Sequence, residues 1–179
     1  LIEQTYTLYG DYIKANNIRI EFLNTLKDEY PNDPVAIYDA VRKVILINQN
    51  KATIDTLPEE LSHHLHVALG KDHVLVGRAL NLIGRLDYKN LLGQEYVDLY
   101  NNDSELLKLE YLGKLSAKYL VDRTIPTEID NENGNKVWDT IKNLYKSFIA
   151  LFKPNSNIET ELDRVVAELA EMIPNGSKI

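Results

Sequence analysis

The chain has 179 residues, of which 44% are hydrophobic and 26% charged, a composition typical of a folded globular protein rather than a disordered one. Its formal net charge of −7 argues against a nucleic-acid-binding surface, because phosphate contacts need clustered lysine and arginine. Cysteine is absent, which excludes disulfides and thiolate metal sites. Any bound metal must therefore use histidine and carboxylate ligands.

The length suits one domain, or one domain with an appended helical piece. The sequence shows neither a signal peptide nor an apolar run long enough to span a bilayer, so we expect no membrane partner. The first residue is Leu1 rather than Met. This beginning suggests a fragment of a larger protein or a processed product, and we expect the chain to belong to a larger chain or assembly.

The first third of the chain mixes helix and strand signals. A helix is predicted over residues 3–15, although Gly10 weakens it. Apolar and charged residues alternate over 18–22, which predicts a half-buried strand. Two more short strands are predicted around 35–37 and at 44–47. The strand at 44–47 has the strongest β signal, and we expect it to form an edge along which an extended peptide could lie.

From residue 56 onward the pattern is almost entirely helical. Helices are predicted over 56–69, 72–86, 88–100, 104–121, 137–152 and 158–173. The polar loop at 122–135 suggests a boundary between a domain at 1–125 and a C-terminal helical hairpin at 126–179 packed on it. The predicted fold class is α+β and predominantly helical, with a small N-terminal β-sheet packed on the helix at 56–69 and a helical bundle after it.

The helix at 56–69 carries a dense group of side chains that can bind metal. Three of the four histidines of the chain fall within four positions, at His63, His64 and His66. Glu59 and His63 are one helical turn apart, so both can approach one ion, and Glu60 lies beside them. The apolar positions of this helix gather on its opposite side, facing a core: Leu57, Leu61, Leu65, Ala68 and Leu69.

This spacing is that of the motif H-E-x-x-H, with glutamate in the first position. In that motif two ligands one turn apart hold zinc, and the intervening glutamate polarises water. The stretch 44–63 runs from a strand ending in Ile47 and Asn48, through a short threonine-bearing loop, into the helix. Over these twenty or so residues the chain resembles zincin-like metallopeptidase domains, in particular those within very large multidomain bacteriophage proteins.

The resemblance implies a metallopeptidase with a zinc cofactor. Glu59 and His63 would be metal ligands, and Glu60 would be the catalytic base. Zincins of the glutamate-ligand type take a third ligand from a later helix, and the matching candidate is Glu110. The substrate would be a peptide or the parent polyprotein, and the location the phage virion or the bacterial host cytoplasm.

The chain departs from the family pattern at Glu59. A carboxylate in place of an imidazole makes the ligand set harder and more negative. Such a set would hold zinc less selectively, could favour another divalent ion, and would make bound water a poorer acid.

Each of these residues also has a simpler interpretation. Thr56, Pro58 and Glu59 match a capping box in which Glu59 stabilises the start of its own helix. Glu110 can pair with a lysine or arginine. His64 and His66 are more often solvated surface residues or satisfied partners than ligands. His73, near a helix start after Gly70, is expected to be structural or exposed.

Three functional hypotheses follow. The first is an active metal-dependent peptidase. The second is a zincin-fold domain that has lost catalysis and serves as a structural or interaction module of a larger phage protein. The third, a helical adaptor unrelated to zincins, would leave the resemblance as coincidence.

Overall fold

The computed structural model describes residues 6–124 and 157–179. Residues 6–8 are helical, and a turn at Tyr9 separates them from the first complete helix. In chain order the elements are α1 Gly10–Ala15, β1 Arg19–Leu23, β2 Ala36–Asp39, β3 Val44–Asn48, α2 Thr56–Leu69, α3 Val74–Ile83, α4 Tyr88–Leu92, α5 Gln94–Leu99, α6 Ser104–Thr124 and α7 Asn157–Ala170. This arrangement confirms the predicted α+β, predominantly helical fold class.

The three strands form one sheet with β3 in the centre, between β1 and β2. β1 runs parallel to β3, while β2 is antiparallel to it. All five residues of β3 are buried, which explains its strong aliphatic signal. The prediction that the strand at 44–47 forms an edge was therefore wrong, because a continuous apolar run is typical of a strand covered on both faces and paired on both sides.

The edges of this sheet are β1 and β2, and β2 lies against α2. The backbone N–H of Asn48 donates to the carbonyl of Val35 just before β2, so the backbone N–H and C=O groups of every second residue from Val35 onward point toward β3. The backbone N–H and C=O groups of Ala36 and Tyr38 consequently point away from β3. β2 thus offers an outward edge beside the helix that carries the metal-capable residues.

Helix α2 lies between the sheet and the helical half of the molecule. Leu57, Leu61 and Leu65 are at most 1% exposed and face the main core, as predicted from their spacing. Leu69 is half-buried and packs against the same core, whereas Ala68 is exposed, so the prediction that Ala68 faces the core was wrong. The other side of α2 packs along α6, and these two helices form the largest interhelical contact among the described residues.

Some predicted helix limits were wrong. The helix predicted over 88–100 is divided into α4 and α5 at Gly93, whose φ of +96° is incompatible with a continuing helix. The helix predicted over 72–86 is shorter and spans Val74–Ile83. Helix α6 begins after Asp103, whose carboxylate accepts the backbone N–H groups of Glu105 and Leu106.

The proposed boundary at 122–135 and the helix predicted over 137–152 lie outside the described residues, except for the last turn of α6. The final predicted helix corresponds to α7, which packs against α3 and α6. Among residues 6–124 and 157–179, no helix combines the length and hydropathy needed to cross a membrane.

Candidate metal centre

Two helices bring together the three side chains predicted to bind metal. Glu59 and His63 lie one turn apart on α2, and Glu110 projects from α6. The Nε2 atom of His63 is 3.8 Å from Oε1 of Glu59 and 3.6 Å from Oε2 of Glu110. One ligand atom from each residue lies within 4.8 Å of the other two. We refer to Glu59, His63 and Glu110 as the candidate centre.

The spacing of these atoms fits a divalent ion after a small contraction. Ligands about 2.0–2.2 Å from a tetrahedral zinc ion are separated from one another by roughly 3.3–3.6 Å. The two measured separations from His63 are at or slightly above that range. Imidazole nitrogens and carboxylate oxygens are both zinc ligands, and the hardness of two carboxylates suits other divalent ions as well.

A glycine on α6 allows His63 to reach this position. A Cβ atom placed at Gly113 would lie 2.5 Å from Cε1 of His63 and 3.0 Å from Nδ1. Real side chains do not tolerate such a contact, so the imidazole occupies space that only glycine leaves free. Gly113 is three residues after Glu110, and the same turn of α6 therefore supplies both the carboxylate and the space for the imidazole.

The capping interpretation of Glu59 was wrong. Asp55 rather than Thr56 precedes the first turn of α2, and it makes no side-chain capping bond. The hydroxyl of Thr56 instead accepts the backbone N–H of Thr53. The carboxylate of Glu59 turns toward α6, where its Oε1 lies 2.8 Å from Nζ of Lys114.

Lys114 is a fourth charged residue at the candidate centre. Its ammonium nitrogen is 2.8 Å from Oε1 of Glu59 and 3.3 Å from Oε1 of Glu110. The lysine side chain is only 9% exposed, and Glu110 only 8%. Buried carboxylates need compensating charge or hydrogen bonds, and Lys114 supplies both. The alternative pairing of Glu110 with a lysine is therefore confirmed, and it coexists with the approach to His63.

The charges of this group change the acidity of its members. Burial alone would raise the pKa of Glu59, but the neighbouring imidazole of His63 and the positive charge of Lys114 lower it. Burial opposes protonation of His63, yet the surrounding carboxylates of Glu59, Glu60 and Glu110 raise its pKa. Without a metal, protonated His63 and Lys114 thus balance the two carboxylates of Glu59 and Glu110.

Glu60, the predicted catalytic base, is half-buried next to the candidate centre. Burial is the main reason that its pKa rises to about 7, and the charges of Glu59 and Glu110 raise it further against the opposing effect of His63. Strand β2, which carries Tyr38, packs against the helix that carries Glu60. A carboxylate that titrates near neutral pH can both take up and release a proton there.

Tyr96 on α5 and Tyr100 at its C-terminal end lie beside the candidate centre. The hydroxyl of Tyr100 donates a hydrogen bond of 3.0 Å to Oε2 of Glu110. The ring of Tyr96 lies under Lys114, with the ammonium nitrogen 4.7 Å from its centroid. Tyr100 therefore orients a candidate ligand, while Tyr96 provides a cation–π surface for the lysine.

The neighbouring histidines lie away from the candidate centre. His64 is 3% exposed, and its Nδ1 is 2.8 Å from the hydroxyl of Tyr12. His66 is 2% exposed and 3.4 Å from the hydroxyl of Ser116. The expectation of solvated residues was wrong for both, whereas that of satisfied partners holds for His64. His73 is partly buried, and neither its Nδ1 nor that of His66 has a hydrogen-bond partner among the described residues.

Sequence reasoning did not identify Lys114, Tyr96 or Tyr100. Lys114 has a usable signal, because it follows Glu110 by four residues and lies on the same face of one helix. The tyrosines carry no comparable signal. Tyr96 and Tyr100 are also four residues apart, but their position over the candidate centre depends on the break at Gly93 and on the packing of α5.

Comparison of the chain with protein families, with curated proteins and with solved structures finds no match. Similarity to known proteins therefore does not assign a family, and the functional inference depends on the candidate centre itself.

Replacement of Gly113 by alanine should destabilise the protein and disturb the candidate centre. The new methyl group would push the imidazole of His63 out of place, which costs roughly 1–3 kcal/mol by overpacking, against a gain in helix propensity of about 1 kcal/mol. The cost exceeds the gain if the ring cannot move aside, and we expect Glu59 and Glu110 to hold the ring. The free energy of unfolding measured in urea should therefore fall.

Gly10→Ala is the control, because Gly10 is also helical, as the first residue of α1, and a Cβ there meets no atom within 4 Å. This variant should be as stable as the wild type or more so. Equal stability of Gly113→Ala and Gly10→Ala would show that the close approach of His63 to α6 is not a constraint.

Acid should destabilise the protein through His64 and His66. Burial is the main cause that lowers their pKa values to about 4 and about 3, while unfolding restores the ordinary value near 6.5. The unfolded state therefore binds more protons below about pH 6.5. Each histidine should remove about 1.4 kcal/mol of unfolding free energy per pH unit from there down to its folded pKa.

NMR titration of the imidazole Cε1–H signals measures these pKa values directly. Both signals should remain those of neutral imidazoles at pH 5. A midpoint near 6.5 for either residue would contradict the burial that we describe.

Proposed function

We propose that this chain is a metal-dependent peptidase of the zincin-like type. The observation that carries the proposal is the convergence of Glu59, His63 and Glu110 from two helices, with Glu60 beside them. This group of acids and an imidazole is partly open, since the side chains of Glu59 and His63 are 17% and 21% exposed. Partial exposure would allow both an ion and a substrate to reach it.

Glu59, His63 and Glu110 would hold the ion, and Tyr100 would fix the orientation of Glu110. A divalent ion supplies Lewis-acid chemistry, polarising a peptide carbonyl and increasing the acidity of water. Glu60 would take a proton from the attacking water and return it to the leaving amine. Its pKa near 7 suits both roles at neutral pH.

The outward edge of β2 would position the substrate. Among the described residues no strand pairs with this edge, and an extended peptide can add to such an edge through backbone hydrogen bonds. β2 packs against α2, the helix that carries the proposed base Glu60, which supports this role for the edge. The resemblance to phage proteins adds the parent polyprotein or a host protein as candidate substrates.

One observation favours a second candidate function, a zincin-fold structural module without catalysis. Lys114 already neutralises the two carboxylates with which a metal would have to pair. A network of Glu59, Glu110, Lys114 and protonated His63 is complete in charge without an ion. Such a network could hold α2 against α6 in a module that binds partners only.

A peptide-library assay with defined metals separates the two candidates. Chelator-treated protein should gain cleavage on addition of Zn²⁺ or another divalent ion. Glu60→Gln should retain metal binding but lose about 10²–10⁴-fold in rate, because the amide cannot accept the proton. His63→Ala should lose both metal and cleavage.

Glu168→Gln is the control, since this acid is exposed on α7 and remote in sequence from the candidate centre. It should cleave like the wild type. If the wild type binds no stoichiometric metal and cleaves no peptide with any ion, the peptidase proposal fails and the structural module remains. Metal binding without cleavage would support a metal-stabilised module instead.

A further inference from the structure

Lys114 contacts two of the three proposed metal ligands. Its ammonium group contacts Oε1 of Glu59, the same oxygen that lies 3.8 Å from Nε2 of His63. It also contacts Oε1 of Glu110. A divalent ion held by Glu59, His63 and Glu110 would lie close to this ammonium group, and like charges at such distances repel strongly where water is largely excluded.

The same ammonium group also lies over an aromatic ring. The ring of Tyr96 lies 4.7 Å from the ammonium nitrogen, on the side of α5. A lysine side chain is flexible, and an aromatic face is a favourable environment for its cation. Lys114 can therefore release the carboxylates and keep contact with Tyr96, without moving its charge into an apolar region.

We propose that Lys114 is a positioning residue that substitutes for the metal: it holds Glu59 and Glu110 together in the metal-free protein and is displaced toward Tyr96 when a divalent ion binds. This inference rests on the proposed metal site and adds to it a competition between two cations. The competition lowers metal affinity while it preserves the ligand arrangement without metal. The exchange needs only a side-chain movement of Lys114, and the three candidate ligands keep their places on α2 and α6.

The same geometry distinguishes this role from simple helix pairing. A purely structural salt bridge would contribute to stability but would not oppose metal binding. Lys118 provides the comparison, because it lies one turn further along α6 and pairs with Asp122 at 3.4 Å, away from the candidate centre. The two lysines thus share a helix and a type of partner, but only Lys114 contacts the proposed ligands.

Calorimetric titration of Zn²⁺ into chelator-treated protein tests the competition. Lys114→Met should bind Zn²⁺ at least about ten-fold more tightly than the wild type, because the competing charge is gone. Without metal the same variant should melt at a lower temperature, since two buried carboxylates lose their counter-ion. Zn²⁺ should then raise its melting temperature by more than that of the wild type.

Lys114→Arg covers the case in which Lys114→Met does not fold. The guanidinium keeps the charge and pairs with carboxylates in a bidentate manner, so it should be harder to displace and should weaken Zn²⁺ binding. Lys118→Met is the matched control and should bind Zn²⁺ like the wild type. His63→Ala in each background should abolish binding at this site.

The outcomes separate the failure of this inference from that of the metal site. Binding that requires His63 but is no tighter in Lys114→Met, or no weaker in Lys114→Arg, would overturn the role of Lys114 and leave the metal site standing. A similar gain in Lys118→Met would also overturn it, since the effect would be one of general charge. Absence of His63-dependent binding in every variant would overturn both.

Discussion

The close contact of α2 with α6 at Gly113 is the constraint on which the candidate centre depends. The imidazole of His63 lies against the Cα of Gly113, in space that any side chain would fill. This contact brings Glu110 within 3.6 Å of His63, although the two residues lie 47 positions apart in the chain. Without it the helices would separate by about the size of a methyl group, and one ion could not reach ligands on both.

Electrostatics sets the second requirement of this arrangement. Glu59 and Glu110 are carried close together into a largely dehydrated region, where two unpaired carboxylates would be costly. Lys114 and protonated His63 supply the opposite charges. A divalent ion would take over the contacts that these two positive charges make with the carboxylates. The metal-free and metal-bound forms can therefore have the same fold, with the identity of the cation as the difference between them.

The sequence predicts the fold class, the limits of α2 and the ligand candidates because those features have local signals. Helical spacing places Glu59 beside His63, whereas Glu110 is predicted from the resemblance to zincin-like domains. Strand order has no such signal: the aliphatic run of β3 predicts burial but not a central position. The burial of His64 and His66 likewise depends on contacts with α1 and α6, which periodicity within α2 cannot reveal.

A crystal structure of the protein grown with zinc, with anomalous diffraction at the zinc edge, tests the central claim most directly. We predict one peak about 2 Å from Nε2 of His63 and from a carboxylate oxygen of both Glu59 and Glu110, with Lys114 turned toward Tyr96. A map without a peak at this position, in which Lys114 still bridges the two carboxylates, would contradict the account.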